Sequence, residues 1–196
     1  MKKIINLFYI VLFIICISCN SEQKKEYYEN DISINRDKNY IGKKIIFPSK
    51  SKLFANDTIR IVDSTFFNND MIKIVHIVNV NCSNCINELY SWKEIISLIE
   101  DDCEIIFLLT NIDNSEVNIS RIIDTANDVF YVSDINQSFK HQNNLIYPDI
   151  NLHTFLLDRS NEIKLMGDPI FDNMLVSEYM NIIALLNNDS TKNNLN

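Results

Sequence analysis

Glycine is nearly missing from this chain: Gly42 and Gly167 are the only two in 196 residues. A phosphate-cradling loop needs several glycines close together, so nucleotide binding through such a loop is excluded. Basic residues are also outnumbered. Lys and Arg total 18 against 26 Asp and Glu, a formal charge of −8, and no basic patch or basic helix stands out. That balance argues against nucleic acid as a partner. The three histidines, His76, His141 and His153, make no recognisable Ser-His-Asp arrangement. A single CxxC has neither a second CxxC nor an HxxxH to complete a closed tetrahedral zinc site. The apolar run from Ile4 to Ile17, broken only by Asn6, is shorter than the about 20 residues of a membrane-spanning helix.

That short run nevertheless has a meaning. It comes after Met1-Lys2-Lys3 and ends in Cys16-Ile17-Ser18-Cys19, the layout of a secretory leader. Ser18 directly before Cys19 resembles a bacterial lipobox. The resemblance implies a signal peptide over residues 1–18, lipidation of Cys19, and a mature chain anchored to a membrane by that lipid. Cys16 departs from the aliphatic residue usual three positions before the lipidated cysteine, and an uncleaved N-terminal anchor is the alternative. Asn20, where a familiar inner-membrane retention signal has Asp, leaves the choice of membrane open. Loss of Lys2 and Lys3 with the leader takes the net charge from −8 to −10.

The remainder reads as one exported domain. Hydrophobic residues make up 46% and aromatics 10%, enough for a real core. The many Ile, Asn and Lys residues read as the mark of an AT-rich genome rather than of function. Residues 19–41 are polar and charged, a tether, and residues 187–196 read as a disordered tail. The domain lies between, over residues 42–186.

Within it, Cys82-Ser83-Asn84-Cys85 carries the most information. The run Ile74-Val75-His76-Ile77-Val78-Asn79-Val80 before it is dense in β-branched residues and predicts a buried strand. After it, Cys85, Leu89, Trp92, Ile96 and Ile99 recur at helical spacing. Unpaired N–H groups and the dipole at a helix N-terminus favour a thiolate. The stripe turns Cys85 toward the core and leaves Cys82 at the capping turn, the asymmetry a nucleophile and its resolving thiol need. A purely structural bridge is a poor use of this spacing, since so short a loop removes little chain entropy.

Strands are predicted at Lys44–Phe47 and Thr58–Val62, with Ser49–Asp57 between them, and again at Glu104–Thr110 and Val129–Val132. A hairpin comes next, His153–Leu157 and Glu162–Met166, joined by Asp158-Arg159-Ser160-Asn161. Helices are predicted around Val117–Ala126, after an Asp134 cap with Ile135 and Phe139, and at the end with Leu175, Tyr179, Ile182, Ile183 and Leu186. Leu145–Leu152, with Pro148, reads as a loop. Trp92 and the pair Phe66-Phe67 read as core, His141 as solvated, and Asp101-Asp102 as a solvated turn. Cys103 follows Glu100-Asp101-Asp102, whose charge raises a thiol's pKa and makes it unreactive.

The order is α/β, a mixed central sheet flanked by helices with a short N-terminal β extension. With IVNVNCSNC at the junction and HTFLLDRSNEIKLMGDP before the last helix, it resembles the thioredoxin family. It is most similar to the lipid- or membrane-anchored thioredoxin-like proteins of bacterial cell envelopes. The resemblance implies a thiol–disulfide oxidoreductase facing the periplasm or cell exterior. Its partners would be the thiols or disulfides of exported proteins and a membrane electron donor or acceptor, with no cofactor. Cys82 would be the nucleophile and Cys85 the resolving thiol.

Two positions depart from that pattern. The family's cis-proline, which lies against the cysteine pair and presents substrate, matches His153 here, immediately before Thr154; these two are the expected substrate-binding residues. The position six before the first cysteine, often a buried acid serving proton transfer, is His76. An imidazole could do that job near neutral pH, or simply pack in the strand. The same residues support two alternatives. One is a Cu(I)-binding or metal-delivery module using Cys82, Cys85 and His153, although the copper-delivery branch of the superfamily usually separates its cysteines by three residues. The other is a redox-inactive scaffold that binds a partner.

Overall fold

The computed structural model describes residues 40–55, 58–99, 101–112, 129–134, 138–145 and 153–193. Backbone contacts divide the chain between Tyr40 and Ile41, and every described strand and helix lies in the second unit. Its strands are β1 (Ser51–Ala55), β2 (Thr58–Val62), β3 (Lys73–Asn79), β4 (Glu104–Thr110), β5 (Phe130–Ser133), β6 (Thr154–Leu157) and β7 (Ile163–Met166). Its helices are α1 (Ser83–Ile99), α2 (Ser138–Gln142) and α3 (Asn173–Asn193). Among these described residues no helix is long and apolar enough to cross a membrane.

All seven strands join one mixed sheet in the order β2-β1-β5-β4-β3-β6-β7. β3, β4 and β5 are parallel, and the outer pairings are antiparallel. Parallel neighbours need covered faces, which is why β3 and β4 are apolar without alternation. Ile74, Val75, Ile77 and Val78 are buried, as are Ile105 through Leu109. The predicted stripe on α1 is buried from Leu89 to Ile99 and meets Phe107, Tyr131 and Leu156 in one core. Trp92 belongs to that core, Phe67 is buried against Phe47, and Phe66 is half-buried, while Asp101, Asp102 and, on α2, His141 are exposed. Asp134 caps α2 as expected, accepting from the backbone N–H groups of Ser138 and Phe139.

The N-terminal extension differs from its prediction. The strand is Ser51–Ala55, inside the stretch read as a connection, and not Lys44–Phe47. Ile45 and Phe47 are buried, but their segment runs along the outer edge of the β6–β7 hairpin. There Gly42 N–H donates to Ile163 O at 2.8 Å, Ile163 N–H to Lys43 O at 3.0 Å, and Ile45 N–H to Asn161 O at 2.8 Å. Lys44 makes one isolated bridge, to Glu162. β1 instead lies between β2 and β5, so adjacent Leu53 and Phe54 are both buried and no alternation marks it. At the other end, α3 continues to Asn193, into the 187–196 stretch read as a disordered tail, because the helix that carries Tyr179 and Ile183 does not end at Leu186. The predicted helix around Val117–Ala126, Ile135 and the Pro148 loop lie outside the described residues, as do the leader, residues 19–39 and Cys19.

Candidate active site at the start of helix α1

β3 ends at Asn79, and the chain turns into α1 within three residues. Asparagines hold this turn. Asn79 Oδ1 accepts from Asn81 N–H at 3.1 Å and from Asn111 Nδ2 at 3.0 Å, while Asn81 Nδ2 donates to Asn111 O at 3.1 Å. Asn111 sits at φ 58°, a left-handed conformation that Asn tolerates better than most residues. Cys82 N–H donates to Asn79 O at 3.1 Å, and Ile86 N–H closes the first helical turn on Cys82 O at 3.1 Å. In the sequence these asparagines read only as part of a compositional bias. Three of them instead tie the end of β4 to the residues that present Cys82.

Cys82 and Cys85 are joined by a disulfide with their Cα atoms 5.2 Å apart. Cys85 N–H donates to Cys82 Sγ at 3.2 Å, so an unpaired helix N–H is aimed at that sulfur. Both residues are at the start of α1, and Cys85 packs on the core that contains Leu89 and Trp92. The remaining described cysteine, Cys103, is free and buried. Burial, helped by Asp102 and Glu104, pushes its thiol up to about 12. It is therefore held protonated, with desolvation a larger cause than the acidic neighbours that the sequence pointed to.

His76 is fully enclosed in β3, its ring 5.0 Å from that of Trp92 and 5.8 Å from that of Phe107. Burial, then the nearby His153, pushes its imidazole down to about 3. Burial thus disfavours an imidazolium near neutral pH, and the surroundings fit the other reading of His76, a residue packed in the strand. The titrating group beside it is one that sequence reading missed. Asp168, 5% exposed, brings Oδ2 within 3.5 Å of His76 Nδ1. Burial pushes its carboxyl up to about 7, with Glu88 adding to the rise and hydrogen bonds from Ile170 N–H and Thr154 opposing it. Since His76 stays neutral, this contact is not an ion pair. The signal lay in Gly167-Asp168-Pro169. Gly167 has φ +131°, and a Cβ there would stand 2.8 Å from Leu175 Cδ2. It is the φ, which side chains rarely adopt, that calls for glycine at the turn delivering Asp168 to the sheet, since the Leu175 methyl is the mobile end of a side chain.

The two expected substrate-binding residues are placed differently from each other. Thr154 is fully buried, so its side chain cannot meet an extended substrate. Its hydroxyl lies 2.7 Å from His76 Nδ1 instead. His153 is half-buried, and its carbonyl accepts from Ile77 N–H at 2.9 Å, which commits that oxygen to the sheet. Among the described residues no three His, Cys, Asp or Glu side chains gather to hold a metal ion, so the set Cys82, Cys85 and His153 is not assembled.

Neither protein-family models nor curated proteins matched the sequence. The likeness is to solved structures. A candidate thiol:disulfide interchange protein DsbE from Chlorobium tepidum is 9% identical with a TM-score of 0.51, over 72% of this chain and 97% of its own. An uncharacterized thioredoxin-like protein from Porphyromonas gingivalis is 18% identical with a TM-score of 0.52, over 74% of this chain and 93% of its own. The reduced 2-Cys peroxiredoxin of Plasmodium vivax is 14% identical with a TM-score of 0.52, over 73% and 81%. At such identities the likeness is one of architecture: the chain has a thioredoxin-like fold.

Proposed function

We propose that this protein is a thiol–disulfide oxidoreductase of the cell envelope, anchored through Cys19 and acting on exported proteins. One observation carries the reading: a disulfide-forming CxxC at the N-terminus of α1, with Cys85 N–H directed at Cys82 Sγ. That N–H stabilises negative charge on Cys82 when the pair is reduced. Cys82 thiolate attacks one sulfur of a client disulfide, forming a mixed disulfide and releasing the other client sulfur as a thiolate, which takes a proton from water. Cys85 thiolate then attacks Cys82 Sγ, the second client thiol leaves, and Cys82–Cys85 is oxidised while the client is reduced. A dithiol electron donor at the membrane would restore the pair, and the same steps run backwards would oxidise clients.

Clients can be trapped at the mixed-disulfide stage. Full-length Cys85→Ser should accumulate adducts on Cys82 in cells, visible as reducible high-mass bands, and Cys82→Ser should not. Absence of adducts with Cys85→Ser, together with a wild-type pair that never cycles in vivo, would leave a partner-binding scaffold as the better reading.

A further inference from the structure

Three buried polar side chains from distant parts of the chain meet at the sheet: His76 of β3, Thr154 of β6 and Asp168 of the turn after β7. Thr154 Oγ lies 2.7 Å from His76 Nδ1 and hydrogen-bonds the Asp168 carboxyl. Asp168 Oδ1 accepts from Ile170 N–H at 3.2 Å, while Oδ2 faces His76. A hydroxyl has one proton to give, and that proton must serve two neighbours.

When Asp168 is ionised it can only accept, so Thr154 donates to it and takes a hydrogen bond from His76. The imidazole proton is then on Nδ1. When Asp168 is protonated, Ile170 N–H keeps Oδ1 as an acceptor and the proton sits on Oδ2. Asp168 can then donate to Thr154, Thr154 to Nδ1, and the imidazole carries its proton on Nε2.

We propose that His76, Thr154 and Asp168 form a proton relay, in which Asp168 stores one proton and His76 changes tautomer without becoming charged. The balance is one proton from water. In the protonated form Nε2 has gained that proton, the former Nδ1 proton is on Thr154 Oγ and the former hydroxyl proton is on Asp168 Oδ2. Burial assigns the charge change to Asp168 and keeps His76 neutral in both forms. The charged or titratable groups facing the relay are Glu88 from α1, which favours the protonated carboxyl, and His153 beside β6, which keeps His76 neutral. The relay does not depend on the redox reading, since it operates with the disulfide closed. His76 also packs against Trp92 of α1, with the two rings 5.0 Å apart.

Nitrogen NMR of the three histidines in oxidised full-length protein, from about pH 5 to 9, tests it. The expected result is that Nδ1 and Nε2 of His76 exchange protonated and unprotonated shifts with a midpoint near 7, with no imidazolium signature. Thr154→Ser should keep the exchange, while Thr154→Val and Asp168→Asn should abolish it. A His76 tautomer constant across that range in wild type, or a His76 that becomes imidazolium there, overturns the relay. So does exchange that survives in Thr154→Val. Trp92, the only tryptophan, gives a second reading in wild type alone. Its fluorescence should follow the same midpoint, and a flat response together with an unchanging tautomer would refute the proposal.

Discussion

Cys85 N–H points at Cys82 Sγ across 3.2 Å, and the two sulfurs are bonded to each other. Under the proposed function that donor would favour the thiolate at Cys82 in the reduced pair, while Cys85 packs on apolar side chains.

Alkylation should therefore be unequal. In the reduced protein at neutral pH, Cys82 should react first, its pKa brought from about 8.5 toward 7 or below. Cys85 should follow slowly, and Cys103 should react only on unfolding. Mass spectrometry of timed samples distinguishes the sites. Equal rates at Cys82 and Cys85 would contradict the assignment of nucleophile and resolving thiol.

Stability should depend on pH through two opposing groups. The Asp168 carboxyl rises on folding from 3.8 to about 7, so its contribution is full below about 4 and is lost as pH climbs through 7. The His76 imidazole falls from 6.5 to about 3, so its contribution is full above 6.5 and is lost as pH drops through 3. Between about pH 4 and 6.5 the slopes offset. Asp168→Asn should uncover a stability that increases with pH there, at up to about 1.4 kcal/mol per unit for one proton. Urea titrations at several pH values measure it; identical profiles for variant and wild type would reject the Asp168 shift, and a flat profile for the variant would reject that of His76.

The asparagine clamp should matter for both stability and presentation of Cys82. Asn79→Ala removes an acceptor that serves Asn81 N–H and Asn111 Nδ2, at a cost of about 1–3 kcal/mol. Asn79→Asp retains the acceptor and should cost less. Chemical denaturation ranks the three proteins.

Lipidation is tested separately. Wild type should incorporate labelled fatty acid and Cys19→Ala should not, its leader then remaining uncleaved. A wild type that takes up no label would argue for an uncleaved anchor.

What could be read from residues in order was whatever local chemistry dictates. The β-branched run into Val80, the apolar run Glu104–Thr110 and the stripe from Leu89 to Ile99 each carry their own period, and a CxxC between strand and helix carries its own reactivity. The hairpin from Thr154 to Met166 was equally plain, bounded by turn residues. Long-range placement was not. Ser51–Ala55 has only Leu53, Phe54 and Ala55 as apolar residues and becomes a strand because β2 and β5 flank it, while Ile45 and Phe47, with better alternation, are drawn off along β7. The buried acid shows the same limit. Nothing in sequence marks an isolated Asp after a glycine as buried, and only the turn through Gly167, at a φ that glycine adopts freely, brings Asp168 to His76. Sequence by itself determined the sheet's central strands and the cysteine pair, since periodicity and spacing are local. The tertiary structure decided which polar groups lose water together, and desolvation, not residue type, sets which of them holds a proton near neutral pH.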